Sequence, residues 1–470
     1  IREFVKTPFY RVIESVNVDG HTFTGEWRAV KGSAYFESPK LHKENGFKEK
    51  EEAKKLIAVL KEGTSPLTCR IVSIEKKKEK KNPPLLFNLA ELQNECSKRF
   101  KISPDETLRI VQELYEKKLV TYPRTDARVL STAVSKEITK NLNGLSKYQM
   151  AAPYMQDILH YGAYKNLAKT RYVNDKQITD HYAIIPTGQG LSALNSVSAT
   201  AHHVYDVIVR RFLSIFYPPA VYQKVALVTQ IGKEQFFSNF RVLAEEGYLK
   251  VAGVPAPKKN ANGNDAEGDG SDNNVDLDAA FFASIQKLKK GDILDVKSLD
   301  IKEGETSPPK RYNSGSMILA MENAGQLIED EELRAQIKGS GIGTSATRAE
   351  ILKKLFNIKY LALNKKTQVI TPTLLGEMIY DVVLNSIRSL LNPELTASWE
   401  KGLNYVAEGE ITSDEYMTKL DHFIVSRTNG VLGLNNQYQL RSCYDRAAAF
   451  YKKKPKAEHR KERKNERNDG

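Results

Sequence analysis

The sequence predicts an α+β chain of several domains, in which two β-rich stretches enclose a helical insert and precede a mainly helical region. Residues 1–75 alternate short β-type runs with turns, and Asp19-Gly20 separates two strand-like halves, as in a β-hairpin. Alternation returns in residues 185–305, for example in "KVALVTQI" and "GDILDVKSLDI", whereas 306–425 has a helical pattern. The 470 residues are enough for about two to four domains.

Capping residues predict two helices at the start of the insert. Asn88 is an N-cap residue with Glu91 three positions later. Ser103 is a second N-cap residue, with Pro104 at the first helical position and Glu106 at the third. Two short helices joined by a tight turn occur in helix-turn-helix units and in ordinary αα-hairpins, and the local pattern leaves both open.

Three polar stretches are predicted to lie outside the packed elements. Lys76–Lys81, "KKKEKK", has the composition of a solvated connector. Residues 255–276 are a low-complexity stretch, predicted to be a disordered linker; their acids partly match a calcium loop but lack the flanking helices of an EF-hand. The tail, 426–470, is predicted to end in disorder, because its last twenty residues hold nine Lys and Arg against four acids.

The charge balance favours an anionic partner. The formal net charge is +13, which is typical of proteins that bind nucleic acid, although a solvated basic surface has the same composition. Three scattered cysteines argue against a disulfide framework or a zinc site, and no apolar run is long enough for a membrane span. The chain begins "IREFVKTPFYRV", inside a strand-like pattern and without an initiator Met, so we expect a fragment of a longer protein.

Residues 119–130, "LVTYPRTDARVL", contain a candidate nucleophile, Tyr122. A tyrosine phenol keeps its proton at neutral pH, so attack on phosphorus needs a cation at the phosphate oxygens and a group that moves protons. Arg124, two residues later in an extended segment, is expected on the same side and can bind phosphate through two N–H groups. Glu116 is a candidate acidic neighbour. Taken alone, a Tyr-x-Arg pattern is more often structural than catalytic.

Two later stretches add candidate phosphate contacts. "NDKQITDHYAIIPTG" places His181 before an apolar run, and a histidine can donate to phosphate or transfer a proton near pH 7. "GSGIGTSATRAEILKKLF" is a glycine-rich loop that leads into a helix, with Thr344 or Ser345 as the expected cap and Arg348 in the first turn. Such a helix start can bind an anion, and it can equally be a plain helix start after a flexible loop.

Taken together, these stretches resemble the type IA DNA topoisomerases and, within them, the topoisomerase III branch. Six motifs occur in the family's order over about residues 83–425: "PPLLFNLAELQNECSKRF", "LVTYPRTD", "TDHYAIIPTG", "PPKRYNSGSMILAMENAG", "GIGTSATRAEIL" and "LTASWEKGL". The family's acidic magnesium-binding cluster belongs to an N-terminal Toprim domain, and this sequence contains no counterpart of it.

The resemblance implies an isomerase that breaks and rejoins one DNA strand through a 5′-phosphotyrosine intermediate and passes a second strand through the gap. Tyr122 would be the nucleophile, Arg124 would stabilise the scissile phosphate, His181 would contact phosphate and Glu116 would be an acidic partner. The residues implied to contact DNA are Thr121, Asp126, Arg128, Thr344 and Arg348. Magnesium would be the cofactor, with its ligands in the missing N-terminal domain and none in this chain. ATP would not be needed, because the covalent link keeps the energy of the broken bond.

The resemblance also implies a domain organisation. Residues 1–82 and 187–306 would form one split β-rich arch domain. Residues 83–186 would be a helical domain of helix-turn-helix, CAP-like character that carries Tyr122. Residues 307–425 would form a mainly helical DNA-gate domain, followed by the basic tail.

The expected partner is DNA, preferably single-stranded, bound by a monomer without a membrane, in the cytoplasm and at the nucleoid if the source is bacterial. Without a Toprim domain the fragment is expected to lack full activity. The alternative is a non-catalytic clamp that binds single-stranded DNA. A tyrosine recombinase or a relaxase fits less well, because Tyr122 lies in mid-chain and the eight histidines are scattered.

Overall fold

The first element of the chain is a β-hairpin. Strand β1 (Pro8–Val18) pairs antiparallel with β2 (His21–Arg28), and Val18 faces His21 across the turn. Asp19 and Gly20 both have positive φ, 49° and 82°, as a two-residue turn requires if its twist is to match that of the strands. The hairpin predicted at Asp19-Gly20 is therefore confirmed.

The computed structural model describes residues 1–62, 65–253, 279–327 and 341–451. The chain divides into two compact units, and it passes between them several times. The first unit consists of Ile1–Phe87, Leu114–Thr121 and Ala127–Lys310. The second unit consists of Asn88–Glu113, Tyr122–Asp126 and Arg311–Gly470.

The first unit contains a closed β-sheet. Its further strands are β3 (Leu41–Lys43), β4 (Gly46–Phe47), β5 (Thr68–Lys81), β6 (Ala220–Ile231), β7 (Glu234–Glu245) and β8 (Ile293–Glu305). Six strands follow one another in the order β2-β7-β6-β5-β8-β1, and the pairing of β1 with β2 closes the ring, while β4 and β3 extend the sheet beside β1. The two β-rich stretches of the sequence therefore build one barrel-like sheet.

The prediction that Lys76–Lys81 is a solvated connector is wrong. These residues form the second half of β5 and pair with β6, with Lys76 opposite Val225 and Lys81 opposite Ala220. Their side chains remain largely exposed, which agrees with their charge. The β structure comes from a partner strand distant in sequence, and such pairing overrides local composition.

The first unit also contains helices. They are α1 (Lys50–Lys61), α4 (Thr132–Leu145), α5 (Ala152–Tyr161), α6 (Ala199–Ser214), α7 (Leu249–Ala252) and α8 (Ala279–Lys287). Of these, α1 and α8 supply residues to the core of the sheet. The sixteen residues of α6 lie inside a stretch that the sequence predicts to be β-rich. Helix α6 has both buried and accessible residues, and Val204, Ile208 and Phe212 are fully buried.

The second unit is mainly helical. Its helices are α2 (Leu89–Phe100), α3 (Pro104–Glu116, whose last turn belongs to the first unit), α9 (Ser314–Glu322), α10 (Arg348–Asn357), α11 (Leu374–Leu384), α12 (Pro393–Glu408), α13 (Ser413–Leu432) and α14 (Gln437–Tyr451). The short strands β9 (Leu361–Leu363) and β10 (Ile370–Pro372) pair antiparallel. None of the helices in the described ranges is long and apolar enough to cross a membrane.

Both predicted helix starts in the insert are confirmed. The Asn88 side chain accepts a hydrogen bond from the Glu91 N–H at 2.9 Å, and the Ser103 hydroxyl accepts one from the Glu106 N–H at 3.3 Å. Helix α9 packs closely against α2, because a Cβ on Gly315 would lie 2.6 Å from the Asn94 Cα. Glycine at this position permits the approach of the two backbones.

The predicted basic tail, 426–470, begins with helical residues. The predicted border at residue 425 falls within α13, and α14 extends to Tyr451, so residues 426–451 are largely helical. The strongly basic composition starts only after Tyr451. The predicted disorder at the end of the tail and in the linker, 255–276, falls on residues that lie outside the described ranges, apart from residue 451.

The two compact units also divide the predicted helical domain, 83–186. Asn88–Glu113 and Tyr122–Asp126 belong to the second unit, whereas Ala127 and the residues after it belong to the first. The three-domain organisation remains a prediction.

A buried carboxyl group lies within the sheet of the first unit. Glu14 of β1 has no exposed surface, and the Thr229 hydroxyl of β6 donates a hydrogen bond to its Oε1. Among the described residues, its Oε2 has no hydrogen-bond partner. Gly25, opposite Glu14 on β2, leaves the space for the carboxyl, since a Cβ there would lie 2.5 Å from Oε1. Burial raises the pKa of Glu14 from 4.5 to about 7, although the bond from Thr229 opposes the rise.

We expect Glu14 to make the first unit less stable as the pH rises from 4.5 to 7. In that range the unfolded chain ionises this carboxyl, whereas the folded sheet keeps it protonated until the pH reaches about 7. The loss is complete above that value and corresponds to about 3 kcal/mol. Glu14→Gln should remove this pH dependence, whatever its effect on stability at pH 4.5.

The measurement is urea unfolding between pH 4.5 and 8 in a Trp399→Phe background, where buried Trp27 is the remaining tryptophan. Glu75→Gln, an exposed glutamate on β5, is the control and should retain the slope. Parallel stability curves for the parent and Glu14→Gln would show that Glu14 does not titrate in this range.

Candidate functional site

The backbone that leads to Tyr122 is fixed within the first unit. Val120 forms a β-bridge with Pro186, and the Thr121 N–H donates to the Ile185 carbonyl at 3.0 Å. The Thr121 hydroxyl donates to the Ala183 carbonyl at 3.0 Å and accepts the Ile185 N–H at 2.9 Å. These bonds hold a short β-type segment before Tyr122 and give the Thr121 hydroxyl two backbone partners, while its contact with DNA remains a prediction.

His181 lies two residues before Ala183, in the segment whose backbone forms hydrogen bonds with Thr121. Its side chain is exposed, and a few residues later the Thr187 N–H donates to the Leu119 carbonyl at 3.0 Å while the Thr187 hydroxyl donates to the Lys118 carbonyl at 2.5 Å. Gly188 has a positive φ of 75°, and a Cβ there would lie 2.5 Å from the Asn141 carbonyl oxygen. The segment that follows His181 is thus closely packed on both sides.

Residues 122–126 belong to the second unit and alternate between buried and accessible positions. Pro123 and Thr125 are buried, whereas Arg124 and Asp126 are exposed and Tyr122 is half-buried. The Thr125 N–H donates to the Pro123 carbonyl at 3.0 Å, which closes a tight turn. Tyr122 and Arg124 thus both keep accessible surface, and their placement on one side of the segment remains a prediction.

The start of α2 holds the end of this segment. The Leu89 N–H donates to the Thr125 carbonyl at 3.1 Å, and the Asn88 Nδ2 donates to the Asp126 carbonyl at 3.1 Å. Asn88 is 1% exposed and also caps α2 through its Oδ1. One asparagine therefore caps the start of α2 and fixes the backbone four residues after Tyr122.

Asn88, Asp126, Glu322 and Arg348 form a polar cluster in the second unit. The second N–H of Asn88 Nδ2 donates to Glu322 Oε1 at 2.6 Å. Arg348 Nη1 lies 2.9 Å from Asp126 Oδ1, and its Nε donates to the Ile342 carbonyl at 3.2 Å. Burial raises the pKa of Glu322, while the charge of Arg348 acts in the opposite direction. The cluster joins α2, α9, α10 and the candidate tyrosine segment.

The described part of the glycine-rich loop follows the end of α9. The Ile342 N–H donates to the Met321 carbonyl at 2.8 Å. Gly341 has a φ of 61°, and a Cβ there would lie 2.5 Å from the carbonyl oxygens of Met321 and Glu322. Only glycine fits this conformation and this close approach. Gly339, where the motif begins, lies outside the described residues.

The expected cap of α10 is wrong. The helix begins at Arg348 after Thr347, and neither Thr344 nor Ser345 is its N-cap residue. Instead, the Thr347 hydroxyl accepts the Thr344 N–H at 2.9 Å, and the Thr344 carbonyl accepts the N–H groups of Thr347 and Arg348 at 3.0 Å. The N–H and carbonyl groups of Thr344 thus form hydrogen bonds in a turn that precedes the helix. The Thr344 side chain is exposed and is therefore accessible to DNA, and its contact with DNA remains a prediction.

Arg348 and Arg128, two of the predicted DNA contacts, both donate to backbone carbonyls of the protein, and their contacts with DNA remain predictions. Arg348 is 1% exposed, so its guanidinium presents almost no surface to a ligand. Arg128 is half-buried, and its Nε donates to the Leu86 carbonyl at 3.2 Å. Glu116 is exposed at the last position of α3. In the described ranges, no group of three or more His, Cys, Asp or Glu residues is arranged to hold a metal ion.

Sequence reasoning missed two members of the cluster. The sequence identifies Asn88 as a cap residue, and capping uses only its side-chain Oδ1. The two N–H groups of its Nδ2 then need acceptors, which is the signal that could have indicated further partners. Glu322 is a single carboxylate at the end of the otherwise uncharged helix Ser314–Glu322. An isolated charge in such a helix indicates a polar partner, although it does not identify the partner.

A protein-family model described as "DNA topoisomerase" matches residues 1–418. DNA topoisomerase 3 of Bacillus licheniformis is 33% identical over 373 residues, which are 78% of this chain and 48% of the relative. DNA topoisomerase 3 of Bacillus subtilis is 34% identical over 347 residues, 73% of this chain and 44% of the relative. The chain thus spans about half the length of the curated relatives it matches.

The solved structure of full-length topoisomerase I from Thermotoga maritima has a TM-score of 0.60 to this chain, at 22% identity, and the match covers 91% of this chain and 59% of that one. At this identity the likeness supports a shared fold. Because the family model covers most of the sequence and the matching curated relatives are topoisomerase 3 proteins, the chain belongs to the type IA DNA topoisomerases, on the topoisomerase III branch.

Proposed function

We propose that this chain supplies the tyrosine with which a topoisomerase III breaks and rejoins one DNA strand, and that Tyr122 is this tyrosine. The observation that carries the proposal is the segment 122–126. Its backbone is held by Asn88 and Leu89, while Tyr122 remains partly accessible beside exposed Arg124. A fixed nucleophile next to an accessible cation is what attack on a phosphodiester requires.

The proposed step is a transesterification. The Tyr122 phenol loses its proton as its oxygen bonds to phosphorus, and the bond from phosphorus to the 3′ oxygen of the neighbouring sugar breaks. That oxygen takes up a proton and leaves as the 3′-hydroxyl of the upstream fragment, so the downstream fragment is joined to Tyr122 through its 5′ phosphate. The reverse step restores the strand. One phosphoester replaces another, and therefore no ATP is consumed.

Arg124 is proposed to stabilise the charge that develops on the scissile phosphate. Its side chain is exposed, and a guanidinium can donate two parallel hydrogen bonds to phosphate oxygens. The proposed roles of His181 as a phosphate contact and of Glu116 as an acidic partner rest on the resemblance and on the exposure of both side chains.

The proposed ligand is single-stranded DNA, bound by a monomer. The net charge of +13 supports an anionic ligand, and binding of this kind weakens steeply with salt because counterions are released. Magnesium is the cofactor that the resemblance implies. The described residues contain no ligand group that fits it, so no step is assigned to a metal.

Tyr122→Phe should abolish covalent attachment to DNA, because it removes only the attacking oxygen. Its affinity for single-stranded DNA should stay within about threefold of that of the parent, which corresponds to less than 1 kcal/mol. The assay traps 5′-labelled and 3′-labelled oligonucleotides in denaturing gels. Two conditions are used. In the first, the chain is alone; in the second, Mg²⁺ is added together with the part of a topoisomerase 3 relative that this chain does not match. Tyr115→Phe, another accessible tyrosine, is the control.

An adduct on the Phe variant would disprove the assignment of Tyr122. A parent that binds single-stranded DNA but forms no adduct under either condition would instead support the non-catalytic clamp. A label at the 3′ end of the oligonucleotide should remain with the protein, because the fragment downstream of the break is the one whose 5′ phosphate is joined to tyrosine. A label at the 5′ end should be released with the fragment that ends in the 3′-hydroxyl.

Arg124→Ala should slow adduct formation by about 10² to 10³, the usual effect of removing one group that stabilises transition-state charge. Its effect on DNA affinity should be small, because one exposed cation contributes little to a multivalent electrostatic interaction. The rate is measured in single-turnover trapping with excess enzyme. Arg388→Ala, an exposed arginine of the same unit, should keep the parental rate. Equal effects of the two changes would argue against a specific role for Arg124.

A further inference from the structure

Arg348 occupies an environment unlike that of an arginine that grips DNA. It is the first residue of α10 and is 1% exposed. A guanidinium removed from water is retained only where partners satisfy its charge and its N–H groups. Here Nη1 contacts Asp126 Oδ1 at 2.9 Å, and Nε donates to the Ile342 carbonyl at 3.2 Å.

Resting on the function proposed above, we infer that Arg348 is a positioning residue that orders the Tyr122 segment through Asp126 and does not contact DNA. At this end of the segment, the Leu89 N–H donates to the Thr125 carbonyl and the Asn88 Nδ2 donates to the Asp126 carbonyl. The ion pair with Arg348 holds the Asp126 side chain.

The geometry explains why this pair controls the segment. Asp126 is partly accessible, with 39% of its side chain exposed, so without a partner its carboxylate would gain by turning into water. Arg348 cannot follow it, because Nε is bound to the glycine-rich loop and Gly341 packs against the end of α9. The pair therefore ties the segment to a backbone framework and not to another mobile side chain.

The charges of the cluster also oppose a direct DNA contact by Arg348. The guanidinium faces Asp126 directly, and its charge acts on Glu322, whose pKa burial raises. A phosphate that approached Arg348 would have to displace Asp126 and would meet its negative charge. Exposed Arg124, two residues earlier, is open to phosphate without such a rearrangement.

The test compares Asp126→Asn and Arg348→Met with the parent. Asp126→Asn keeps the shape of the side chain and removes the ion pair, and Arg348→Met keeps most of the length and removes the charge. Lys353→Met is the matched control, since Lys353 lies on the same helix and pairs with Asp105 at 3.4 Å through a side chain that is 47% exposed. Thermal unfolding first establishes that each variant is folded.

The first readout is tryptic cleavage of the bond after Arg124, followed by mass spectrometry. Arg124 is exposed, so the rate of cleavage measures how often the ordered segment opens. We expect cleavage to be about tenfold faster in Asp126→Asn and in Arg348→Met, which corresponds to one lost charged hydrogen bond. The double variant should be little faster than either single variant, because both remove the same pair. Lys353→Met should match the parent.

The second readout is binding of single-stranded oligonucleotides over a range of salt concentrations, together with adduct formation. We expect the salt dependence of both test variants to equal that of the parent, while adduct formation falls about tenfold or more. A loss of about 0.7 in the slope of log affinity against log salt for Arg348→Met, with unchanged cleavage at Arg124, would overturn the inference, because it indicates a lost phosphate contact.

The inference and the proposed function can fail separately. If the parent forms no adduct, the proposed function fails, while proteolysis and salt dependence still decide the role of Arg348. If the parent forms an adduct and Asp126→Asn leaves both proteolysis and adduct formation unchanged, the positioning role is excluded and the catalytic tyrosine stands. Should Arg348→Met not fold, Asp126→Asn alone decides between these outcomes.

Discussion

The position of Tyr122 depends on hydrogen bonds to the backbone on either side of it. Before it, the Thr121 N–H and hydroxyl bind the carbonyls of Ile185 and Ala183. After it, the carbonyl groups of Thr125 and Asp126 accept bonds from the start of α2. A side chain has only a few rotamers once its backbone is fixed, so these bonds restrict where the phenol can lie.

The polar cluster beyond this segment combines two carboxylates with one guanidinium. Asp126 is directly paired with Arg348, while Glu322 accepts a hydrogen bond from Asn88. Burial raises the pKa of Glu322, and the charge of Arg348 opposes the rise. The guanidinium of Arg348 is 1% exposed and contacts Asp126 directly, so its charge is used within the cluster. The cluster can therefore fix the segment without offering this cation to DNA.

Features that depend on neighbouring residues could be predicted from the sequence, and features that depend on distant partners could not. The Asp19-Gly20 turn and the caps at Asn88 and Ser103 require only a few consecutive residues, and each is found as predicted. The strand at Lys76–Lys81 needs β6, which lies more than a hundred residues later, and no local signal could indicate it. For the same reason the sequence indicated an arginine at 348 but not its burial against Asp126.

Arg124 and Arg348 illustrate why the environment of a charge must be known before its role is assigned. Both lie in motifs that suggest phosphate binding, and both belong to the second unit. The exposed guanidinium of Arg124 can exchange water for phosphate at little cost, because it is already hydrated. The buried guanidinium of Arg348 would first have to break the bonds that satisfy it. The same side chain is therefore suited to transition-state stabilisation in one place and to positioning in the other, and burial decides between the two.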